Sequence, residues 1–371
     1  MASTSEQTSV PRWQRWVVWA GIALVAIGFG IADSMAPVMA LPAGNAVTNG
    51  RTLLRLAAPF DQSQLREIDA ALSEIDIDLN RSGWGSASGR VKKARRTIEK
   101  KGDRIVASLP EAHLASGRAD LERLQSRIDE LSTALEARDR DESRVRLNAV
   151  YGALESVEAD AISGFPFEIP SEYDGLPRLL GRAQVELETT QGRMLLVLDG
   201  YNAPITAGNF ADLVQKGFYN GSEFGQVEDF FYMQAGDPPG PEDGYVDPKT
   251  KQKRTLPLEI RAIDEVVPRY GETFEAAGIF GAEPALPFSV KGTLAMAQYP
   301  NEPNSASSQF FLFMAEPDLS PAGLNFIDGR YSTFGYAIEG TDVLDRLGRE
   351  VDKTDRIIEA RLVSGAEFLQ S

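Results

Sequence analysis

The sequence contains no cysteine and a single histidine, His113. Without cysteine there can be no disulfides, no thiolate metal sites and no cysteine nucleophiles. With one histidine, almost no arrangement is left for a histidine-assisted serine nucleophile or a histidine-rich metal site. We therefore expect neither a metal nor a cofactor, and a chemistry that relies on amides, hydroxyls, carboxylates and shape.

Positive charge is also scarce, because 38 Lys and Arg residues face 54 Asp and Glu residues and the net charge is −16. Such an excess of negative charge argues against nucleic acid and anionic membrane surfaces as main partners. The imbalance is uneven along the chain. Residues 177–371 hold 17 basic and 29 acidic residues, whereas residues 41–176 hold 19 and 23.

The first 40 residues contain an uncharged run that is short for a membrane span. Residues 17–32 follow Arg12 and Arg15, and a comfortable span needs about 20 apolar residues. Small residues then precede Leu41, which is typical of the cleavage site of a secretory signal peptide. We predict a signal peptide over residues 1–40, with an uncleaved anchor at residues 17–32 as the alternative. Both place the folded chain on the far side of a membrane.

A chain of 371 residues exceeds the usual size of one domain, so we expect two folded units. Between residues 61 and 163, apolar residues recur at the steps of three and four that define one face of a helix. The clearest positions are Leu65, Ile68, Leu72, Ile75, Leu79, Leu121, Leu124, Ile128, Leu131 and Leu135. We predict an all-α four-helix bundle over residues 41–163. A long coiled coil is the alternative, although the heptads are not sustained.

One predicted helix is unusually basic, since residues 90–104 contain eight Lys and Arg residues. A solvated helix face is the ordinary explanation of such a run. The sharper hypothesis is that this helix docks on the acidic C-terminal domain or on an acidic partner. Added salt should weaken such a contact.

Residues 164–177 contain prolines and aromatic residues and are predicted to be a linker, which leaves residues 178–371 as the second domain. Residues 183–189 and 193–199 have the pattern of two strands joined in a hairpin. Thr206 stands where the N-cap of a helix ending near Gly217 would be. Short strand-like runs follow, and they suit a closed antiparallel β-barrel with flanking helices.

Three segments of the second domain carry the most specific pattern: residues 224–237, residues 307–311 and residues 326–335. In their order and spacing they resemble the cyclophilins, the peptidyl-prolyl cis–trans isomerases. The resemblance covers essentially all of residues 183–365, with an extra loop region near residues 238–288. It implies the cyclophilin-like closed barrel, so the whole chain is expected to be an α+β multidomain protein.

The resemblance also implies a site for proline-containing peptides. The positions that match catalytic residues of the family are Gln226, Phe231 and Gln234. The positions that match its substrate-binding residues are Tyr232, Ala297, Gln309, Phe311, Phe326, Ile327 and Tyr331. Phe231, Tyr232 and Phe311 would enclose the proline ring, and Gln234 would hydrogen-bond to the peptide carbonyl. Burial in a barrel core is the alternative role of the aromatic residues.

Three positions depart from the family pattern. Gln226 stands in place of the catalytic arginine, Phe326 in place of a common tryptophan and Tyr331 in place of a histidine. The resemblance therefore leaves two hypotheses: a peptidyl-prolyl isomerase with weak turnover, or a non-catalytic assembly chaperone that binds prolyl peptides. A purely structural subunit is a third possibility.

Taken together, the two domains resemble the thylakoid-lumen cyclophilins of photosynthetic organisms, which carry a helical bundle ahead of the barrel. The bundle of that subfamily resembles an extrinsic subunit of photosystem II. Residues 236–241 and 254–260 also fit this subfamily. The resemblance implies a thylakoid-lumen or periplasmic location, client proteins that include photosystem II subunits, and a role in assembly or maintenance of photosystem II.

Overall fold

The structure is a computed structural model that describes residues 49–60, 62–228, 231–314, 325–347 and 354–371, with the backbone alone at residues 226–228. The predicted signal peptide or anchor in residues 1–40 lies outside these ranges. The chain divides into two compact units, of which one is Arg51–Glu168 and the other contains Ile169–Ser371. No helix within the described ranges is both long and apolar enough to cross a membrane.

The N-terminal region is helical. Its α-helices are α1 (Gly50–Ala57), α2 (Ser63–Leu72), α3 (Ile75–Asn80), α4 (Trp84–Ala107), α5 (Leu114–Glu136) and α6 (Arg140–Asp160). A 3₁₀ turn, Glu111–His113, precedes α5. The described part of this region thus holds six α-helices, and the predicted four-helix bundle is not confirmed.

The apolar positions from Leu65 to Leu79, which we expected on one helix, are divided between α2 and α3. All five of these apolar side chains are nevertheless fully buried. Helix α2 ends at Leu72, and the N–H of the following residue, Ser73, donates to the carbonyl of Asp69 at 2.9 Å. The spacing of apolar residues along the sequence predicts which side chains are buried. It does not predict the break between α2 and α3, because the same side chains are buried on both sides of it.

The three long helices supply the rest of the helical core. Helix α4 packs on α2, α3 and α5, and α5 packs on α6. The apolar side chains that face these contacts are buried: Val91, Ile98, Ile105, Leu121, Leu124, Ile128, Leu131, Leu135, Leu147, Tyr151, Leu154 and Val157. These apolar faces therefore form the core of the unit.

Seven of the eight basic residues of α4 fall into two groups, and the eighth, Lys93, is exposed. Three of them form ion pairs inside the helical unit, namely Arg90–Asp78, Arg90–Glu74, Arg95–Asp129 and Lys101–Glu67. Another four are exposed at intervals of four residues: Lys92, Arg96, Lys100 and Arg104. Residues four apart are neighbours on a helix surface, so this second group forms one row, the α4 basic row. The predicted docking on an acidic surface concerns this row and stays a prediction.

The second unit is built on an eight-stranded antiparallel sheet with the strand order β11-β2-β3-β10-β8-β9-β5-β4. Along the chain, the strands of this unit are β1 (Arg178–Leu179), β2 (Arg182–Thr189), β3 (Gly192–Asp199), β4 (Gly225–Glu228), β5 (Tyr232–Ala235), β6 (Glu259–Ile260), β7 (Arg269–Tyr270), β8 (Thr293–Met296), β9 (Phe310–Phe313), β10 (Thr333–Glu339), β11 (Ile357–Ser364) and β12 (Leu369–Gln370). Two further pairs, β1 with β12 and β6 with β7, form small separate sheets. One α-helix, α7 (Pro204–Gln215), is described in this unit.

The sheet is not the closed barrel that we predicted. Its edge strands, β4 and β11, do not form a ladder with each other in the described residues. The residues just before β4 and β11 are connected by an isolated bridge between Glu223 and Arg356 and by main-chain hydrogen bonds next to this bridge. Strand β4 has only four residues and a register irregularity between Gln226 and Glu228. The two edges are therefore joined by isolated main-chain bonds and not by a ladder in the described residues.

The main core of this unit lies between the inner face of the sheet and α7. It contains Val185, Leu196, Phe210, Phe310 and Phe334, all of them fully buried. Three residues of the predicted linker, Ile169, Tyr173 and Leu176, pack against the same core. This part of residues 164–177 is thus attached to the second unit.

Two local predictions have different outcomes. The hairpin is confirmed, because every residue of β2 from Arg182 to Thr189 pairs with a residue of β3. The N-cap prediction is wrong, since α7 begins at Pro204 after the cap residue Ala203. Thr206 lies inside the first turn, where its N–H and its Oγ1 each donate to a carboxylate oxygen of Glu259 at 2.8 Å.

Glu259 is a fully buried carboxylate at the N-terminal end of α7. Besides the two bonds from Thr206, it accepts a hydrogen bond from the N–H of Ile205 at 3.2 Å. These donors favour the charged form, as helix N-termini do for anions. Burial outweighs them and raises the pKa of Glu259 to about 7.

Candidate functional site

Strands β5 and β9 place two different sets of side chains on their two faces. In the ladder, Gln234 lies opposite Phe311 and Met233 lies opposite Leu312. Successive side chains of a strand point to opposite faces of the sheet. Met233 and Leu312 accordingly join the main core, whereas Phe311 belongs to a second apolar cluster with Phe313.

A cavity of about 170 Å³ opens beside this second cluster. Its lining includes nine of the ten predicted site residues: Phe231, Tyr232, Gln234, Ala297, Gln309, Phe311, Phe326, Ile327 and Tyr331. Sites for drug-sized ligands usually have volumes of roughly 300–1,000 Å³. The cavity therefore suits one small ring with short extensions more than a large ligand.

Phe311 forms the floor of the cavity and is only 4% exposed. Its ring centroid lies 5.1 Å from that of Tyr232 and 5.4 Å from that of Tyr331, whose plane is at 89° to it. Phe288 stacks on Phe311 at 5.9 Å, with the planes 7° apart. Such aromatic pairs add to the stability that burial gives. The floor is therefore held in place by contacts among these rings.

Phe231 and Phe326 form the open rim. Their ring centroids are 5.4 Å apart, and Phe326 is 67% exposed. The neighbouring Ile327 is buried and forms a wall of the cavity. Asn325 holds this loop in place, because its side-chain amide donates to the carbonyl of Phe288 at 2.9 Å. The rim thus combines one exposed ring with an anchored wall.

The polar edge of the cavity consists of amide groups. Gln234 Nε2 donates to Gln309 Oε1 at 2.6 Å. Gln309 Nε2 in turn donates to Asp237 Oδ1 at 3.0 Å and to the carbonyl of Asp243 at 3.1 Å. We name Asp237, Gln309 and Gln234 the amide chain. Neutral hydrogen-bonding groups beside an aromatic floor can bind a backbone segment that carries a small apolar ring.

Comparison with known proteins finds a family model for each of the two regions of the chain. Residues 184–366 match the family model for cyclophilin type peptidyl-prolyl cis-trans isomerases, and residues 49–162 match a model described as a CYP38-like, PsbQ-like domain. A protein of Synechocystis named as a thylakoid lumen peptidyl-prolyl cis-trans isomerase, sll0408, is 42% identical over 89% of this chain and 86% of its own. The chain belongs to the cyclophilin-type peptidyl-prolyl cis-trans isomerase family.

Other relatives extend the comparison. The chloroplastic peptidyl-prolyl cis-trans isomerase CYP38 of Arabidopsis thaliana is 37% identical to this cyclophilin, over 94% of this chain and 81% of its own. Among solved structures, a cyclophilin type isomerase of Cryptosporidium parvum matches 49% of this chain and 98% of its own, at 22% identity and a TM-score of 0.36. The Synechocystis and Arabidopsis relatives thus match both regions of the chain.

The cavity of this cyclophilin has little charge. Among its described lining residues, Asp243 alone is charged, and its carboxylate pairs with Lys253 Nζ at 2.5 Å. Neither lysine nor arginine occurs among those lining residues. Gln226 lies in β4 opposite Met233 of β5, but its side chain is outside the described part of the structure. The tenth predicted site residue is therefore placed by its backbone alone.

Sequence reasoning missed several lining residues, namely Asp243, Gln298, Tyr299, Pro300, Ser305 and Ser307. Asp243 lies in the extra loop, whose path depends on distant contacts such as the bond from the N–H of Tyr245 to Ser307 Oγ at 3.0 Å. No local pattern marks a contact of that kind.

The described residues contain no group of three or more His, Asp or Glu side chains arranged to hold a metal ion. The groups available at the cavity are aromatic rings, amides, hydroxyls and the carboxylate of Asp243. This set can bind and orient a peptide, and it offers neutral hydrogen-bond donors to a reacting group.

Proposed function

We propose that this cyclophilin binds proline-containing segments of exported or membrane proteins in the aromatic cavity and isomerises them slowly. Binding is then its main activity, as in an assembly chaperone, and turnover is weak. The observation that carries the proposal is an aromatic floor and an amide edge without a cation among the described lining residues.

The roles within the site follow from the family resemblance and the geometry. The floor formed by Phe311 and Tyr232 receives the proline ring, and the rim formed by Phe231 and Phe326 covers its open side. The edge formed by Gln234 and Gln309 binds the adjoining backbone. Their arrangement around one cavity supports these roles.

The expectation of slow turnover rests on the charge of the transition state. Rotation about a peptide bond crosses a barrier of about 18–20 kcal/mol that amide resonance creates. Twisting the bond breaks this resonance and leaves a lone pair on the prolyl nitrogen. A cationic donor aimed at that nitrogen stabilises the twisted form more than the planar one. Gln226 offers only a neutral donor, and charge-assisted hydrogen bonds are about twice as strong.

For the cellular setting, we propose the thylakoid lumen and a role in assembly or maintenance of photosystem II. Support comes from the name of the Synechocystis relative and from the PsbQ-like match of residues 49–162. Capture of proline-containing loops of photosystem II membrane proteins by the exported chain would test the role. Capture that is equally strong with Phe311→Ala would contradict it, because that variant lacks the floor of the cavity.

The mechanism can be tested by exchanging the decisive residue. We expect Gln226→Arg to raise the rate of prolyl isomerisation by about 10²–10³, the usual value of one preorganised donor. The affinity for the same proline tetrapeptide, measured by calorimetric titration, should change little. Gln226→Lys is the matched control, because it adds the charge without the planar donor geometry of arginine.

Two results would overturn the proposal. Turnover typical of the family in the unmodified chain would contradict the slow mechanism. The absence of affinity for any proline peptide would contradict binding as well, and would favour a purely structural subunit.

A further inference from the structure

The amide chain has a fixed direction of hydrogen bonding. The carboxylate of Asp237 and the carbonyl of Asp243 are the two acceptors for Gln309 Nε2. Because neither group can donate at these atoms, Gln309 must turn its Nε2 toward them and its Oε1 toward Gln234. Gln234 must then present Nε2 to that oxygen. The orientation of the Gln234 amide is thus set by Asp237 and the carbonyl of Asp243, through the side chain of Gln309.

The difference in exposure between Gln309 and Asp237 strengthens this argument. Gln309 is only 7% exposed, whereas Asp237 is exposed to solvent. Turning the amide of Gln309 over would bring its oxygen against two acceptors and leave that buried oxygen without a donor. A buried polar group without a partner is costly. Asp237 therefore acts from the surface on an amide that is itself shielded from water.

We propose that Asp237 is a positioning residue for peptide binding, which it assists by holding Gln234 with its Oε1 available to the bound segment. This inference rests on the proposed function of the cavity. In this orientation, Gln234 offers Oε1 as an acceptor and its second Nε2 hydrogen as a donor. These two atoms match the N–H and C=O groups of a peptide backbone beside a proline ring.

The inference predicts that the hydrogen-bond acceptor at position 237 matters more than its charge. Asp237→Ala removes the acceptor, and the affinity of the full chain for an Ala-Ala-Pro-Phe peptide should fall about three- to tenfold, the effect of one hydrogen bond. Asp237→Asn keeps an acceptor oxygen, and the affinity should stay within about twofold of the unmodified chain. Asp264→Ala, at an exposed aspartate of the same unit, is the matched control and should change nothing.

A spectroscopic measurement separates positioning from a general loss of structure. The side-chain amide resonances of Gln234 and Gln309 should shift in Asp237→Ala, while in Asp237→Asn they should stay close to those of the unmodified chain.

An exchange of donor and acceptor between positions 237 and 309 gives a further check. Gln309→Glu alone places a carboxylate against Asp237 and against the carbonyl of Asp243. Adding Asp237→Asn restores a donor at position 237, so the double variant should recover part of the affinity that the single one loses.

The inference is overturned if Asp237→Ala leaves both the amide resonance of Gln234 and the peptide affinity unchanged. It is also overturned if Asp237→Asn is as damaging as Asp237→Ala. If the unmodified chain binds no proline peptide but the Gln234 resonance moves in Asp237→Ala, the proposed function fails while the positioning of the amide stands.

Discussion

The buried charges of the helical unit and the cavity of the sheet unit differ in their use of cations. Guanidinium groups pair with buried carboxylates in both units, as Arg254 does with Asp212 in the sheet unit. In the helical unit, the buried guanidinium of Arg55 pairs with Asp69 and lies 4.6 Å from the ring centre of Tyr151. In the sheet unit, the buried Glu259 is held by N–H and O–H donors of α7. The described cavity lining likewise contains amides and no cation. Lys253 is the cation nearest to this lining among the contacts described: its Nζ pairs with Asp243 and lies 5.6 Å from the ring centre of Tyr299.

Under the proposed function, this difference accounts for a cavity that binds a prolyl peptide without isomerising it quickly. Ring stacking and neutral hydrogen bonds act on the planar and the twisted peptide bond to a similar degree. Only a group that interacts more strongly with the twisted form lowers the barrier. Shape and amides thus favour affinity, whereas a cation at position 226 would favour rate.

The largest expected effect comes from breaking the buried ion pair of the helical unit. Asp69→Ala leaves Arg55 buried without its carboxylate, and removal of one partner of a buried pair typically costs about 3–5 kcal/mol. Urea unfolding followed by circular dichroism should show this loss. Asp103→Ala is the control, because Asp103 is 95% exposed and should change the free energy of unfolding by less than about 0.5 kcal/mol. An equal effect of both variants would contradict the account of the helical unit.

Glu259 predicts how stability depends on pH in the sheet unit. Its pKa is raised to about 7 when folded, against an ordinary value of about 4.3. Between these values the folded chain keeps a proton that the unfolded chain has lost. Rising pH therefore lowers the free energy of unfolding, by up to about 1.4 kcal/mol per pH unit. Below this window both states are protonated and above it both are ionised, so the slope from this group disappears.

Glu259→Gln tests this prediction, because a side chain that cannot ionise should remove that part of the pH slope. Glu302→Gln, at an exposed glutamate, should keep it. The measurement is the free energy of unfolding in urea, at closely spaced pH values from below to above the window. An unchanged slope in Glu259→Gln would show that other groups produce the pH dependence.

The smallest expected effect on stability concerns the α4 basic row. Lys92→Glu with Lys100→Glu should change the free energy of unfolding by less than about 0.5 kcal/mol, since both side chains are exposed. If the row docks on an acidic surface, the double variant should also abolish a salt-sensitive association with a polyglutamate peptide. Lys101→Glu is a useful contrast, because Lys101 pairs with Glu67 inside the unit. An association that neither salt nor the double variant weakens would contradict the docking hypothesis.

Local pattern predicted much of this molecule. The hairpin of β2 and β3 follows from strand periodicity around a short turn, and the buried helix faces follow from helical spacing. The site residues came from the family resemblance: nine of the ten line one cavity, eight of them in the three segments that carry the resemblance and Ala297 outside those segments. Their roles in binding remain a proposal.

Other features could not be predicted locally because distant residues decide them. The break between α2 and α3 does not change which side chains are buried, so apolar spacing does not reveal it. Thr206 has the chemistry of an N-cap, but the carboxylate of Glu259 provides its partner from 53 residues away. The contact of Gln309 with Asp243 spans 66 residues and depends on how the extra loop folds.

The most direct test of the central claim is the rate of rotation in the bound state. Magnetisation exchange of a labelled proline tetrapeptide, at saturation with the full chain, measures cis–trans interconversion on the protein separately from affinity. Our account predicts a bound peptide whose cis and trans signals exchange slowly, and a marked acceleration with Gln226→Arg. Fast exchange on the unmodified chain would contradict it.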